Sequence, residues 1–383
     1  MPDITEIPGA CRPFADETID FLNSLSALIL KDRESRLYPD VVTFAFFCRK
    51  ASLMQMKKRY LPDGLRLGRG LVFHIAPGNV PVNFAYSMVC AMLAGNSSIV
   101  KLSSKQFPQV DIILRQLHAL ENDPVSQRIV LLRYNHDTDC TDRLSSVADI
   151  RVIWGGDNTI NLIRKSPLQP RSTDICFADR YSICAINAEK LLQSDPQTMV
   201  RLADAFYNDT YLFDQNACSA PHLIVWVGNS SACAEAHSIF WTAVHNRLGQ
   251  RYSLQPVLAV DKLTNFYRQA IEHGASRNIT PDNLIICSQL PELRPGIEKL
   301  KCAGGFFTEY NAKSLDEIAP IISKKYQTLA YFGFDRDTLA QFITTNLPAG
   351  IDRIVPIGET SSFSLVWDGI NLISAMSREI SLS

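Results

Sequence analysis

Leu71-Val72-Phe73-His74-Ile75-Ala76, running directly into Pro77-Gly78-Asn79-Val80-Pro81, is the stretch on which the reading of the fold turns. A short, mostly apolar run is stopped by a Pro/Gly turn, and apolar residues from Val82 to Leu93 then return at helical spacing, so the unit is strand, tight turn, helix. Downstream, Ala94-Gly95-Asn96 has the chemistry of a helix stop, Ser98 to Leu102 reads as a second strand, and Pro108 to His118 as a helix. The pattern recurs with a strand over Ile129 to Tyr134, a helix near Cys140 to Val147, and a strand over Ile150 to Trp154 before Gly155-Gly156-Asp157. Strands alternating with helices at this spacing predict an α/β protein with a parallel, helix-covered sheet. Such sheets bind ligands at the carboxyl ends of their strands, where this chain carries Pro77 to Pro81, Lys101 to Lys105 and Gly155 to Asp157. A nucleotide site is the natural candidate, although the G-x-G-x-x-G fingerprint is absent.

Upstream, residues 1 to 70 read as helical, with Ile19, Phe21, Leu22, Leu25, Leu28, Ile29 and Leu30 recurring near helical spacing. Downstream, a second block has a strand near Ser182 to Ile186, a helix around Met199 to Tyr207, the segment Phe213 to His222, and an apolar run from Leu223 to Val227. Within that segment Cys218 is flanked by small residues that leave room around its sulfur, as a substrate-accessible thiol requires. The competing reading of Cys218 is a buried structural cysteine.

Composition bounds the rest. At about 150 residues per domain, 383 residues make two to three domains. A net charge of −1 argues against a dedicated nucleic-acid binder. Ten cysteines without a CxxC pair read as reduced thiols rather than a disulfide framework. No apolar run has the length of a membrane span, and the acidic start Met-Pro-Asp-Ile-Thr-Glu does not resemble a secretory signal, so a soluble, cytoplasmic chain is expected. The seven histidines are scattered, no ligand triad has zinc-like spacing, and no metal site is expected.

Four strings together resemble the bacterial acyl-CoA reductase family, typified by LuxC-type fatty-acid reductases, within the aldehyde dehydrogenase superfamily. They are His74 to Pro81; Ala94-Gly95-Asn96 with Val100 to Lys105; Asp179-Arg180-Tyr181-Ser182; and Gln215-Asn216-Ala217-Cys218-Ser219. The resemblance runs from about Gly64 to the C-terminus. It implies an aldehyde dehydrogenase-like fold: N-terminal helices and a Rossmann-like NAD(P)-binding domain over 1–182, a catalytic α/β domain over 183–350, and a C-terminal segment over 351–383 that returns to the cofactor domain or an interface. It also implies NAD(P)H-dependent reduction of an acyl-CoA or acyl-carrier thioester to an aldehyde.

Residue by residue, the resemblance makes Cys218 the nucleophile and Asn79 the donor to the oxyanion, a pairing that suits attack of a thiolate on a thioester. Ala76, Pro77, Lys101, Ser103, Ser104 and Lys105 fall on the cofactor side, and Gly155, Gly156 and Asp157 on the turn beneath the pyrophosphate, with Asp157 as N-cap of the next helix. NAD-preferring relatives often have glutamate where this chain has Ser104, so NADPH is expected, with NADH possible. Asn79 as a mere turn residue, and Lys101 and Lys105 as a solvated edge, are the structural alternatives. His74 reads as a strand residue. The stretch Ile175-Cys176-Phe177-Ala178 lacks the glutamate with which hydrolytic relatives activate water; Asp174 and Asp179 are the nearest carboxylates. Two other functions stay open: aldehyde oxidation, and an acyl-accepting protein with a dead cofactor site. A homo-oligomer and an acyl-transferring or acyl-activating partner protein are further implications of the resemblance.

Overall fold

A computed structural model describes residues 7–135, 139–249 and 251–382. The chain divides into two compact units, Met1–Asp179 with Phe363–Ser383, and Arg180–Ser362.

The first unit opens with helices α1 (Asp16–Lys31), α2 (Pro39–Phe47) and α3 (Lys50–Tyr60), followed by strand β1 (Leu65–Gly68). Then come β2 (Leu71–Ile75), α4 (Asn83–Leu93), β3 (Ser97–Lys101), α5 (Pro108–His118), β4 (Ile129–Leu132), α6 (Cys140–Val147), β5 (Ile150–Trp154), α7 (Asp157–Ile163) and β6 (Thr173–Phe177). The five strands β2 to β6 form one parallel sheet in the order β4-β3-β2-β5-β6. β5 is buried along its whole length, on both faces, and is apolar apart from Arg151, so it does not read as an apolar/polar alternation.

Helix α4 is buried at nine of its eleven residues and ends where Gly95 takes a φ of +90° and the Asn96 amide donates to Ala91 O at 2.9 Å. A Cβ at Gly95 would stand 2.3 Å from Cys11 O, so only glycine fits. Asn96 does more than stop the helix. Its buried Oδ1 accepts from the Arg69 and Gly70 amides at 2.7 and 3.0 Å, aligning the entry to β2.

In the second unit the elements are β7 (Tyr181–Asn187), α8 (Ala188–Leu192), α9 (Pro196–Thr210), β8 (Pro221–Val227), α10 (Ser230–Leu248), α11 (Pro256–His273), β9 (Ser276–Ile279), β10 (Ile286–Gln289), β11 (Phe306–Ala312), β12 (Tyr326–Phe332), α12 (Arg336–Asn346) and β13 (Arg353–Pro356). Its seven-stranded sheet has the order β13-β12-β7-β8-β11-β10-β9, and only the edge strand β9 runs antiparallel to its neighbour. Because β13 belongs to this sheet, the chain leaves the second unit after Ser362 rather than at 350. The crossing into the unit falls at Asp179/Arg180, just before β7.

The last stretch comprises β14 (Val366–Trp367), β15 (Ile370–Asn371), α13 (Leu372–Met376) and β16 (Ser377–Ile380), and β16 pairs antiparallel with β1. The reading of residues 1 to 70 as helical is therefore corrected at Leu65–Gly68. That strand's partner lies more than 300 residues away, and no local periodicity announces it.

Candidate active site

The carboxyl ends of β2, β3 and β5 are neighbours, and the residues assigned above to the cofactor, together with Asn79, lie at those ends, on the loops that leave them or, for Asp157, at the start of the helix that follows. Chain direction reverses its lateral walk at β2, with β3 to one side and β5 to the other, which is the switch point where open α/β sheets form a crevice. Ala76, Pro77 and Ser103 line one small pocket together with Pro81, Phe84, Leu102, Phe107 and Val110. Asn79 is exposed on the turn between Ile75 and α4.

Lys101 is half-buried at the end of β3, its Nζ 5.1 Å from the centroid of the Tyr134 ring, and burial holds its pKa below the ordinary lysine value. It is thus not a solvated edge residue, whereas Ser104 and Lys105 are exposed. Tyr134 is a residue that sequence reasoning passed over. Its only signal is its position just beyond β4, the strand next to β3.

After β5, the Gly155 amide donates to Phe177 O at 3.1 Å, while a Cβ on Gly156 would meet open space. Gly156 is the N-cap of α7 and Asp157 its first helical residue, which corrects the assignment of Asp157 as the cap. Beneath this edge His74 is fully buried in β2, hydrogen-bonded to Ser87 Oγ at 2.8 Å and Ser98 Oγ at 3.3 Å, and burial pushes its pKa down to about 3. A neutral imidazole there packs the sheet against α4, in agreement with a strand role.

Asp174, a candidate water-activating carboxylate, is already engaged. Buried Arg151 grips both of its oxygens at 2.8 and 3.1 Å while donating to Ser145 Oγ and Ser166 O. Such a forked pair holds β5 against β6 and leaves the carboxylate poorly placed to accept a proton from water. Arg180 pairs with Asp352, and Arg353 wraps the loop 359–362 by donating to the carbonyls of Glu359, Thr360 and Ser362.

In the second unit, Cys218 is half-buried on the loop that enters β8. The loop is held from both flanks. Ser182 Oγ donates to Cys218 O at 2.8 Å, and the Ala220 amide donates to Ala217 O at 3.0 Å. Upstream, Asp214 and Gln215 take consecutive left-handed conformations, φ +51° and +60°, unusual for residues with side chains.

What holds them is the buried Gln215 amide. Its Oε1 accepts from the Gly305 and Phe306 amides at 3.0 and 3.2 Å, and its Nε2 donates to Pro221 O and Phe306 O at 2.9 and 3.0 Å. The Gly304 amide donates to Asp214 O and Tyr252 OH to Asp214 Oδ1. The sequence showed Gln215 only as a letter of a motif, because its four partners come from Pro221 and from residues some 90 positions later.

His222, four residues beyond Cys218, is buried with Nδ1 3.1 Å from Cys302 O and its ring stacked near Tyr181, a core role. Eight of the nine other cysteines have thiol pKa values raised by burial.

A family model described as Acyl-CoA reductase (LuxC) matches residues 42–279, a span that includes both Asn79 and Cys218. A long-chain acyl-protein thioester reductase of Photorhabdus laumondii is 27% identical over 165 residues, covering 42% of this chain and 32% of that protein. This match thus spans about a third of the relative's length. Among solved structures, a lactaldehyde dehydrogenase superposes with a TM-score of 0.67 at 12% identity, covering 94% of this chain and 85% of the other. The NADP-dependent glyceraldehyde-3-phosphate dehydrogenase of Bacillus halodurans, complexed with NADP, gives 0.65 at 14% identity, covering 96% and 86%. The fold is therefore aldehyde dehydrogenase-like, as the sequence motifs implied. No helix among the described residues is long and apolar enough to cross a membrane.

Proposed function

Since the chain belongs to the acyl-CoA reductase (LuxC) family, we propose that it reduces an acyl thioester to an aldehyde, with the acyl group passing through Cys218. The observation that carries this reading is the nucleophile loop: an accessible cysteine on a strained turn locked by Gln215, inside the span that matches the family. The Cys218 thiolate would attack the thioester carbonyl, the bond to the CoA or acyl-carrier sulfur would break, and that thiol would leave with a proton. By the family resemblance, the Asn79 side-chain amide and the Cys218 backbone N–H would donate to the oxyanion.

The first unit would hold the cofactor and the second the acyl-cysteine. Lys101, Ser103, Ser104 and Lys105 would meet the ribose and its phosphate, Ala76 and Pro77 the crevice wall, and Gly155, Gly156 and Asp157 the pyrophosphate turn. The residues fit a nucleotide: a glycine turn after β5 with open space over Gly156, and, at the end of β3 and on the loop that leaves it, two hydroxyls and two ammonium groups. NADPH, when bound, supplies the hydride that makes an acyl group an aldehyde. Cys218 sulfur would then leave as a thiolate, ready for another turnover.

With Asp174 occupied by Arg151, no base in this strand competes to hydrolyse the acyl-cysteine, which favours reduction over oxidation of aldehydes. Acyl groups would come as CoA or carrier thioesters, or from an acyl-transferring protein, to a homo-oligomer in the cytoplasm.

The test is intact-protein mass spectrometry after incubation with a panel of acyl-CoAs and acyl-protein thioesters, alongside NADPH oxidation. An acyl adduct should map to Cys218, and Cys218→Ala should abolish adduct and turnover while binding NADPH as wild type does. Iodoacetamide at pH 7 should label Cys218 ahead of the cysteines whose thiols burial raises. Undiminished turnover in Cys218→Ala would refute the proposal.

A further inference from the structure

In the second unit, well outside the nucleophile loop, three side chains of different chemistry converge in an otherwise apolar core: His237 on α10, Cys287 on β10 and Glu309 on β11. Their ligand atoms all lie within 4.8 Å of one another. The sheet register explains why. Cys287 pairs with Phe307, so Cys287 and Glu309 project from the same face of adjacent parallel strands. On α10, His237 and Trp241 are one turn apart and cover that face.

A carboxylate kept 1% exposed in an apolar core is expensive unless its oxygens are specifically engaged. Here one oxygen is fixed in place. The indole N–H groups of Trp226 and Trp241 both donate to Glu309 Oε1, at 3.0 and 2.8 Å. Indoles donate and cannot accept, so they orient the carboxylate and leave its other oxygen turned toward the imidazole and the thiol. That oxygen, Oε2, stands 2.9 Å from His237 Nε2.

From this geometry we infer that His237 Nε2, Cys287 Sγ and Glu309 Oε2 form a binding site for a zinc-like divalent cation, with Trp226 and Trp241 orienting the carboxylate ligand. One nitrogen, one sulfur and one oxygen are the donors that zinc accepts, and three protein ligands leave a fourth position for water. His237, whose side chain is 21% exposed, gives the entry path. A dication with one thiolate, one carboxylate and one neutral imidazole sums to zero charge, so the occupied cluster suits an apolar surround. Binding releases the Cys287 proton and displaces the hydrogen between His237 Nε2 and Glu309 Oε2. The three ligands are separated by 50 and 22 positions in the chain, which is why spacing along the sequence showed no metal site. This site is independent of the acyl-reductase reading.

Titrating the full chain with Co²⁺ tests it. The wild type should bind one equivalent, with a near-ultraviolet thiolate-to-cobalt charge-transfer band and intense visible bands that Zn²⁺ abolishes. Cys287→Ser should lose the charge-transfer band, and Cys218→Ser should keep it. Trp241→Phe, which removes one N–H but retains a ring, should bind Co²⁺ about 10- to 100-fold more weakly. His237→Gln, at a partly exposed position, should weaken binding at least about tenfold even if Cys287→Ser does not fold. No charge-transfer band in the wild type, a band that follows Cys218 instead of Cys287, or wild-type affinity in folded His237→Gln would each overturn the assignment.

Discussion

Replacing Gln215 by alanine should unlock the loop that carries Cys218, and the size of the effect can be worked from its contacts. The substitution removes four hydrogen bonds and leaves the Gly305 and Phe306 amides and the Pro221 and Phe306 carbonyls in need of other partners, in a position now 1% exposed. At about 1 kcal/mol net for each bond, the loss is about 4 kcal/mol; partial rescue by entering water would halve it. For a unit of this size about 2–4 °C is lost per kcal/mol, so the melting transition of the second unit should fall by about 8–16 °C. The consecutive left-handed residues Asp214 and Gln215 add to the expectation, since that backbone conformation is costly for residues with side chains and relies on its surroundings to hold it.

A shift of about 1 Å in the sulfur typically costs about 10² in rate, so acyl transfer should drop by that factor without a matching rise in KM. Urea unfolding followed by tryptophan fluorescence, together with single-turnover acyl transfer, makes the measurement. Gln215→Met, which keeps the volume and loses the amide, should behave like alanine. If both variants unfold within 1 kcal/mol of wild type, by the scale of a single net hydrogen bond, and transfer acyl groups at the wild-type rate, the clamp argument is wrong.

Asn79→Ala should lower the maximal rate by about 10²–10³ with little change in thioester binding, as loss of one oxyanion donor does; a pure binding defect would make Asn79 a turn residue. Ser104→Glu should shift preference from NADPH toward NADH by about 5- to 150-fold at fixed ionic strength, and an unchanged ratio would remove the 101–105 loop from the ribose. Asp209, buried and accepting from the Gly358 and Thr360 amides, has its pKa pushed up to about 6 by burial. The folded state therefore holds this proton where the unfolded chain, near 3.9, has lost it. Stability contributed by the protonated form is present below pH 4 and lost as pH rises through 6. Relative to Asp209→Asn, the wild type should lose about 3 kcal/mol between pH 4 and pH 7, and a flat difference in urea denaturation would refute it.

How far the sequence reached differs between the two halves of the candidate site. Local signals sufficed for the edge proposed to hold the cofactor. The run Leu71 to Ile75, the stop at Gly95 and the strand Ile150 to Trp154 each rest on short-range chemistry, and the corresponding elements form where that chemistry puts them. The motif of the proposed nucleophile was equally visible, because Cys218 stands in a contiguous string. What holds it there was not: Gln215 reaches residues 305 and 306, and Asn96 reaches Met376 as well as the entry to β2.

The same limit hid β1, whose partner β16 is at the far end of the chain, and the cluster of His237, Cys287 and Glu309. Periodicity and turn chemistry are properties of ten or fifteen neighbouring residues, so the sequence alone determined the alternation of strands and helices and singled out Cys218 as the proposed nucleophile. Which strands lie side by side, and so which buried polar groups find one another, depends on chain closures over tens to hundreds of residues, and only the packed tertiary structure decides those.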